Sequence, residues 1–562
     1  MLERRANFDE MVREFRWAIP DRFNIGVAVC DAWAEREPDR VALIDYAAAG
    51  GTIFHTYGEL RARSNALANG LRSLGVEPGD RVALLVPQGL DALAGHIAIY
   101  KLGAIAVPLA LLFGREALGF RLRFAGVKAV IANARGAANI GLIDGELPDL
   151  RWLIETESPA RPAPASWRRI AMDALIAGQS TDFTPVDSGP DDPALMIFTS
   201  GTTGPPKGAL HGHRVLLGHM PGFEMAYQFP PQPGDVMWTP ADWAWAGGLL
   251  NALLPSLLLG IPAAFGRFER FDPRAALELM SSLGVTIVFL PPTALRMLKN
   301  SGVDPRDYPL KLRAIMSAGE QLGRETYDWA CEAFGFPVNE FYGQTECNLV
   351  LGSCAALGIG RPGPIGRVVP GHRVAILDAD GSEAGPGVAG QIAVRRPDPV
   401  MFLGYWQDPE ATERKYAGDW MMTGDQGIMD SDGYVTFVSR DDDVITSAGY
   451  RIGPGEIEDC LASHPAVQIA AAVGKPDALR TEIVKAYVVL RDGFPADAEL
   501  ADEIKLWVRE RLSAHEYPRE VEFVDEVPLT TTGKVIRRFF RERARDEAQS
   551  AAIASAARAA GS

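Results

Sequence analysis

Apolar residues along this chain fall into short unbroken runs separated by longer stretches of mixed polarity. RVALLVPQ at 81–88, KAVIA at 128–132, ALMIF at 194–198, TIVFLPP at 286–292 and LRAIMSAGE at 312–320 are such runs. An uninterrupted apolar run of about four to eight residues suits a strand buried on both faces, whereas a half-exposed strand alternates. ALAGHIAIYKLGAIAVPL at 92–109 predicts a helix ending near Gly103 and then a further strand. Strands of this kind alternating with helices imply βαβ units and parallel sheet. Residues 157–193, rich in Pro, Ala, Ser and Asp, predict a surface excursion. Trp243–Gly266 is uncharged, but Asn251, Pro255 and Pro262 interrupt it. A buried helix, a turn and a strand fit it better than a membrane span, which needs about 20 apolar residues.

From Val435 the texture changes. YVTFVSRDDDVITSAGYRIGPGEIE packs charges and turn residues between short strands. Beyond it the pattern predicts helices at 454–463 and 498–513 and strands at 468–473, 482–490 and 520–524. The fold class expected is α/β: a large N-terminal region, 1–440, of βαβ-built sheets, and a smaller α+β C-terminal domain, 443–545. The boundary falls at the charge run Arg440–Asp443. Residues 546–562, rich in alanine, read as a frayed helix or disordered tail.

Composition narrows the function classes. A chain of 562 residues exceeds what one core usually serves. Its net charge of -16 disfavours nonspecific contact with nucleic acid or anionic lipid. Five cysteines, with no Cys-x-x-Cys pair, argue against a disulfide framework or zinc site and suit a reducing, cytoplasmic setting. MLERRANFDEMVREF has no apolar core, so it does not read as a signal peptide. His211, His213 and His219 cluster without a carboxylate or cysteine at ligand spacing, which makes a metal site there a poor reading.

The chemistry concentrates in TSGTTGPPKG, 199–208, directly after the strand ALMIF. Its glycines let backbone N–H groups approach oxyanions, and the hydroxyls of Thr199, Ser200, Thr202 and Thr203 add donors. Lys207 adds positive charge. This is the composition of a phosphate cradle, without the spacing of a Walker A loop. Turn residues alone would also suit a solvent loop between strand and helix.

TSGTTGPPKG resembles the signature loop of the adenylate-forming superfamily: acyl-CoA synthetases, peptide-synthetase adenylation domains and beetle luciferases. SAGEQL at 317–322, EFYGQTE at 340–346, TGD at 423–425, the Arg440–Arg451 segment and TTTGK at 530–534 resemble further motifs of that family, in its order, over essentially the whole chain. The resemblance implies an ATP-dependent enzyme that makes an acyl-adenylate and passes the acyl group to a thiol. It implies nucleotide contacts from Thr199, Ser200, Gly201, Thr202, Thr203, Gly204 and Lys207, and an adenine pocket at Gly319, Glu320 and Gln321. Further nucleotide contacts are implied for Glu340, Phe341, Tyr342, Gly343, Gln344 and Thr345, and for Arg451. Asp425 would grip the ribose hydroxyls, with Arg440 as a second ribose or phosphate contact. Mg²⁺ would be held by Thr202 and Glu346, since this hard ion seeks oxygen ligands and phosphates. Lys534 resembles the catalytic lysine of adenylation, carried by a C-terminal domain that rotates about Asp442. Gly449 and Tyr450 would then line the thiol tunnel, and Arg509 would meet a coenzyme A phosphate.

Among relatives, the chain most resembles acetyl- and medium-chain acyl-CoA synthetases. Where the acetate enzymes carry a tryptophan before Gln-Thr-Glu, this chain has Gly343. That substitution is expected to open an apolar volume beside Trp243, Trp245, Ala246 and Gly247, for a medium-chain, branched or aromatic acid. An acetyl- or propionyl-CoA synthetase, an enzyme that loads a carrier protein, and a non-catalytic nucleotide binder are the competing readings; peripheral membrane contact and the choice between monomer and homodimer stay open.

Overall fold

The computed structural model describes the chain except residues 48–50, 144, 158–165, 200–205, 267, 269, 441–442, 448–449, 478–479, 513–516, 530–534 and 561–562, and the side chains of 446, 450, 451, 456 and 551–560. Two large sheets form most of the N-terminal region. One has eight strands. Arg81–Leu85, Ile105–Pro108, Val127–Ala132, Trp152–Glu155, Arg168–Ala171 and Pro193–Thr199 run parallel, and Lys207–Gly212 and Gly404–Tyr405 close one edge antiparallel. The other has nine strands. Its parallel core holds Val41–Ala47, Met237–Trp238, Ala263–Gly266, Ile287–Phe289, Ala314–Ala318 and Asn339–Tyr342. The apolar runs read from the sequence are the central strands of these sheets, as expected for strands covered on both faces.

The helices Tyr57–Ser73 and Leu90–Lys101 bury side chains in one core that also takes residues from both sheets. The first starts in a capping box: the Thr56 hydroxyl accepts from Glu59 N–H, and the Glu59 carboxylate accepts from Thr56 N–H. The second is apolar all round, so burial replaces amphipathicity. Its buried charge, Lys101, lies 2.5 Å from Asp31 and donates to Ser64 and Asn65, which meets the need of a buried ammonium for partners. Trp243–Gly266 folds as short helical segments followed by the strand Ala263–Gly266.

A five-stranded sheet follows, built from Val374–Leu377, Ala389–Arg395, Tyr416–Ala417, Trp420–Met429 and Val435–Arg440. The last sheet carries Ile445–Ser447, Tyr450–Ile452, Val467–Asp477, Thr481–Leu490 and Glu520–Phe523, with the helices Pro454–Ala462 and Ala498–Arg511. Its strands outrun the expected 468–473 because the pairing continues to Asp477↔Thr481. One helix runs from Arg537 to Ala560, through the start of the alanine-rich tail, and Glu547 on it accepts from Lys485 at 2.5 Å. Glu547 joins Glu520 and Glu522 around the Lys475 and Lys485 ammoniums, which ties the helix to the sheet beneath it. Among the described residues no helix is long and apolar enough to cross a membrane.

Candidate active site

The strand Asn339–Tyr342 alternates its side chains, and this sorts the EFYGQTE segment. Phe341 points into the core and is buried. Tyr342, on the opposite face, donates its hydroxyl to Asp425 Oδ2 at 2.6 Å. Gln344 Nε2 donates to the same oxygen at 2.6 Å and to the Thr423 carbonyl at 2.8 Å. Asp425 pairs across the sheet with Arg440, whose Nε lies 3.9 Å from Asp425 Oδ1. Burial pushes the Asp425 carboxyl up, and Arg440, Tyr342, Gln344 and Lys415 pull against it. Tyr342, Gln344 and Arg440 thus surround one carboxylate, with Oδ2 committed to protein donors and Oδ1 beside an arginine.

Glu346 is buried and accepts the Tyr405 hydroxyl on Oε1 at 2.6 Å. Lys207 Nζ stands 5.0 Å over the Tyr405 ring, so this tyrosine joins the end of the phosphate loop to the acidic residue of EFYGQTE. Tyr405 was missed in the sequence, where GYW carries no chemical pattern; so was Lys415, which donates to Gln344 Oε1 at 3.5 Å and to the carbonyls of Met422 and Thr423. Tyr405 engages one oxygen of Glu346 and leaves the other, a donor set that suits a hard cation such as Mg²⁺. Thr199 ends one strand of an antiparallel hairpin and pairs with Lys207, the first residue of the next, so the loop joins two strands, not a strand to a helix. Ser200, Gly201, Thr202, Thr203 and Gly204 lie outside the described residues.

Gly319 follows the strand Ala314–Ala318 with φ +96° and open space where a side chain would sit, which favours glycine. Glu320 turns away towards the helix Pro292–Asn300, accepting from Thr293 at 2.7 Å and pairing with Arg296. The side chain of Gln321 reaches Gly455 of the C-terminal part. Glu340 accepts from Leu322 N–H at 3.3 Å; burial, with Asp459 adding to it, pushes its carboxyl up to about 7.

The acyl-pocket residues separate. Trp243 is a core residue against Phe265. Trp245, Ala246 and Gly247 remain partly exposed, with Trp245 edge-on to Phe113 at 5.7 Å and Gly247 facing Phe289. Gly343 is not the opening inferred from its lack of a side chain. A Cβ there would lie 1.1 Å from the Asn348 carbonyl oxygen, because the main chain of Asn348 and Leu349 folds back over it. The segment turns there through Asn348 at φ +45°, and Asn348 N–H donates to the Gln344 carbonyl.

Lys534, Asp442 and Gly449 lie outside the described residues, as do the side chains of Tyr450 and Arg451. Thr345 is partly exposed in the turn after Tyr342. Arg509 is exposed on the last turn of Ala498–Arg511, over the Tyr517 ring. His211, His213 and His219 are each buried, and burial holds all three below the ordinary histidine range.

A buried carboxylate held by Tyr342 and Gln344, a second held by a phosphate-loop neighbour, and a separate C-terminal sheet define an enzyme that handles a nucleotide. Residues 30–406 match the AMP-binding enzyme family and residues 456–534 its AMP-binding enzyme C-terminal domain; the chain belongs to this family and is an AMP-forming acid–thiol ligase. It is 33% identical over 555 residues to the human mitochondrial acyl-coenzyme A synthetase ACSM4, covering 96% of this chain and 93% of that one. It is 32% identical over 549 residues to the acetyl-coenzyme A synthetase of Bacillus subtilis, covering 95% and 94%. Its fold resembles the crystal structure of Brucella canis acyl-CoA synthetase, with a TM-score of 0.74, 34% identity, and coverage of 96% of this chain and 99% of that one.

Proposed function

We propose that the chain joins a carboxylic acid to coenzyme A in two steps at one site. In the first, a carboxylate oxygen attacks the α-phosphorus of ATP and pyrophosphate leaves. In the second, the coenzyme A sulfur attacks the acyl carbonyl, and AMP leaves with the electron pair. The observation that carries this reading is the convergence of Tyr342 and Gln344 on Asp425 beside Arg440, with Glu346 and Lys207 linked through Tyr405. Asp425 accepts ribose hydroxyls through Oδ1, and Glu346 holds Mg²⁺ with Thr202. The ion, when bound, neutralises phosphate charge. Lys534, brought in by the C-terminal part, stabilises the charge that develops as pyrophosphate departs. Asp442 is the pivot, and the boundary between the two parts lies at 440–443.

The acid is larger than acetate: medium-chain, branched or aromatic. The partly exposed Trp245, edge-on to Phe113, and its small neighbours Ala246 and Gly247 support this. Gly343 does not, because main chain fills its side-chain position. A cytoplasmic location is part of the same proposal and rests on five cysteines, all free thiols. The test is pyrophosphate release with acetate, butyrate, octanoate and benzoate, followed by thioester formation on addition of coenzyme A. Pyrophosphate release without thioester would favour a carrier protein as acceptor; fastest turnover with acetate would overturn the larger acid.

A further inference from the structure

The residues on either side of 530–534 pair with each other. Leu529 and Val535 form an antiparallel bridge, and Ile536 N–H donates to the Pro528 carbonyl at 2.9 Å. The helix Arg537–Ala560 begins immediately afterwards. Its first residue grips two carboxylates. Arg537 Nε donates to Glu458 Oε1 at 2.7 Å, Nη2 pairs with Glu458 Oε2, and Nη1 donates to Asp443 Oδ2 at 3.0 Å. Arg541, one turn further along, donates to Asp443 Oδ1. The four side chains keep only 10–22% of their exposure, and two cations balance two carboxylates. Asp443 follows Asp442 directly. Glu458 sits on the helix Pro454–Ala462, which faces the N-terminal region: Asp459 lies against Gly323, and Gly455 against Gln321.

We propose that Arg537, Arg541, Asp443 and Glu458 form a positioning clamp that carries rotation at the pivot to the Lys534 segment. This deepens the reading above and rests on it for the roles of Lys534 and Asp442. A guanidinium fork on two carboxylates fixes an angle as well as a distance, which a lone exposed ion pair does not. The clamp ties the first turn of the C-terminal helix to the residue beside the pivot, so segment and pivot turn as one body. None of the four residues touches substrate; they act through where they hold the lysine. The apolar core of the C-terminal part does not include them. Its core is Ile445, Ile457, Leu461, Val488 and Ile504, and the helix is separately docked by the Tyr487–Phe540 stack at 4.3 Å and the Lys485–Glu547 pair.

The test uses the full chain with Arg537→Gln, Arg537→Lys, Asp443→Asn, the double variant Arg537→Gln/Asp443→Asn, and Lys534→Ala. Pyrophosphate release and thioester formation from a supplied synthetic acyl-adenylate are measured separately, with whichever of the four acids above turns over fastest. Arg537→Gln is expected to lower kcat for adenylation by roughly tenfold or more, because a displacement of about 1 Å can cost a hundredfold. KM for ATP and the thioester step should stay near wild type. The double variant should be no slower than the slower single variant, since both remove one coupled unit. Equal loss in both half-reactions, additive single effects, or unchanged adenylation would overturn the clamp. Arg537→Lys keeps the charge without the fork, so it must show the same split at a Tm near wild type even where Arg537→Gln fails to fold. If Lys534→Ala leaves adenylation intact, the underlying site reading fails; if it abolishes adenylation while Arg537→Gln does not, only the clamp fails.

Discussion

Tyr405 illustrates how a residue without a readable motif can govern a site. Its hydroxyl is the hydrogen bond that Glu346 Oε1 receives, and its ring sits under Lys207. Tyr405→Phe keeps the ring and removes the bond. A hydrogen bond to a charged group contributes about 1.5–3 kcal/mol, so Tm should fall and kcat/KM for MgATP should drop by roughly tenfold or more at a temperature where the variant is folded; unchanged kcat/KM would show that Glu346 does not need Tyr405. Glu340 makes a second residue-scale prediction. Its carboxyl, ordinarily at 4.5, is pushed up to about 7 by burial. The folded state therefore binds a proton that the unfolded chain has released, and the stability this gives is complete below about 4.5 and lost as pH rises through about 7. Glu340→Gln should remove that dependence, so its Tm should gain on wild type between pH 5 and 8; parallel curves would contradict the raised carboxyl. The residue types at Asp425, Glu346 and Tyr342 were legible because each stands in a motif. Their partners were not, because Lys415 and Tyr405 meet the site through the tertiary fold alone, and the inward side of Phe341 depends on strand register.

At the scale of elements, apolar runs marked the central parallel strands well, since strands covered on both faces leave a continuous signal. The edges left little. Lys207–Gly212 mixes a lysine, glycines and a histidine, and Leu351–Gly352 is two residues long, so their pairing is set by neighbours. The same limit explains the error at Gly343. A missing side chain reads as space in a sequence, yet the turn through Asn348 fills that space with main chain. Gly343→Ala should therefore displace the 347–349 segment next to Gln344 and Glu346 and slow turnover of acetate, butyrate, octanoate and benzoate by a similar factor. A selective loss of the longer acids would mean that this segment yields and that position 343 faces the acyl group after all. Gly218 supplies a structural comparison. A Cβ there would lie 2.4 Å from Val400 N, in the middle of the helix Val215–Ala226, so Gly218→Ala should lower Tm without changing acid preference.

In the proposed reading the molecule divides its chemistry between an N-terminal region that holds the nucleotide and a C-terminal part that supplies the lysine. The sequence basis for this division is the charge run at 440–443, which separates long apolar strands from short charged ones. How the parts meet was not readable: Asp459 against Gly323 and Gln321 against Gly455 are contacts between glycines and polar side chains that no pattern announces. The proposed division has a direct kinetic consequence. If Lys534 serves only the first step, Lys534→Ala should cost at least roughly a hundredfold in pyrophosphate release, the scale of losing one preorganised charge-stabilising group. Thioester formation from supplied acyl-adenylate should remain within a few fold, because that step transfers an acyl group already activated and generates no departing pyrophosphate. ATP binding, measured without acid, should change little, since Asp425, Tyr342 and Gln344 hold one another in the N-terminal region. The three readings together distinguish a lysine that acts in one step from one that merely stabilises the closed enzyme, for which both half-reactions would fall together.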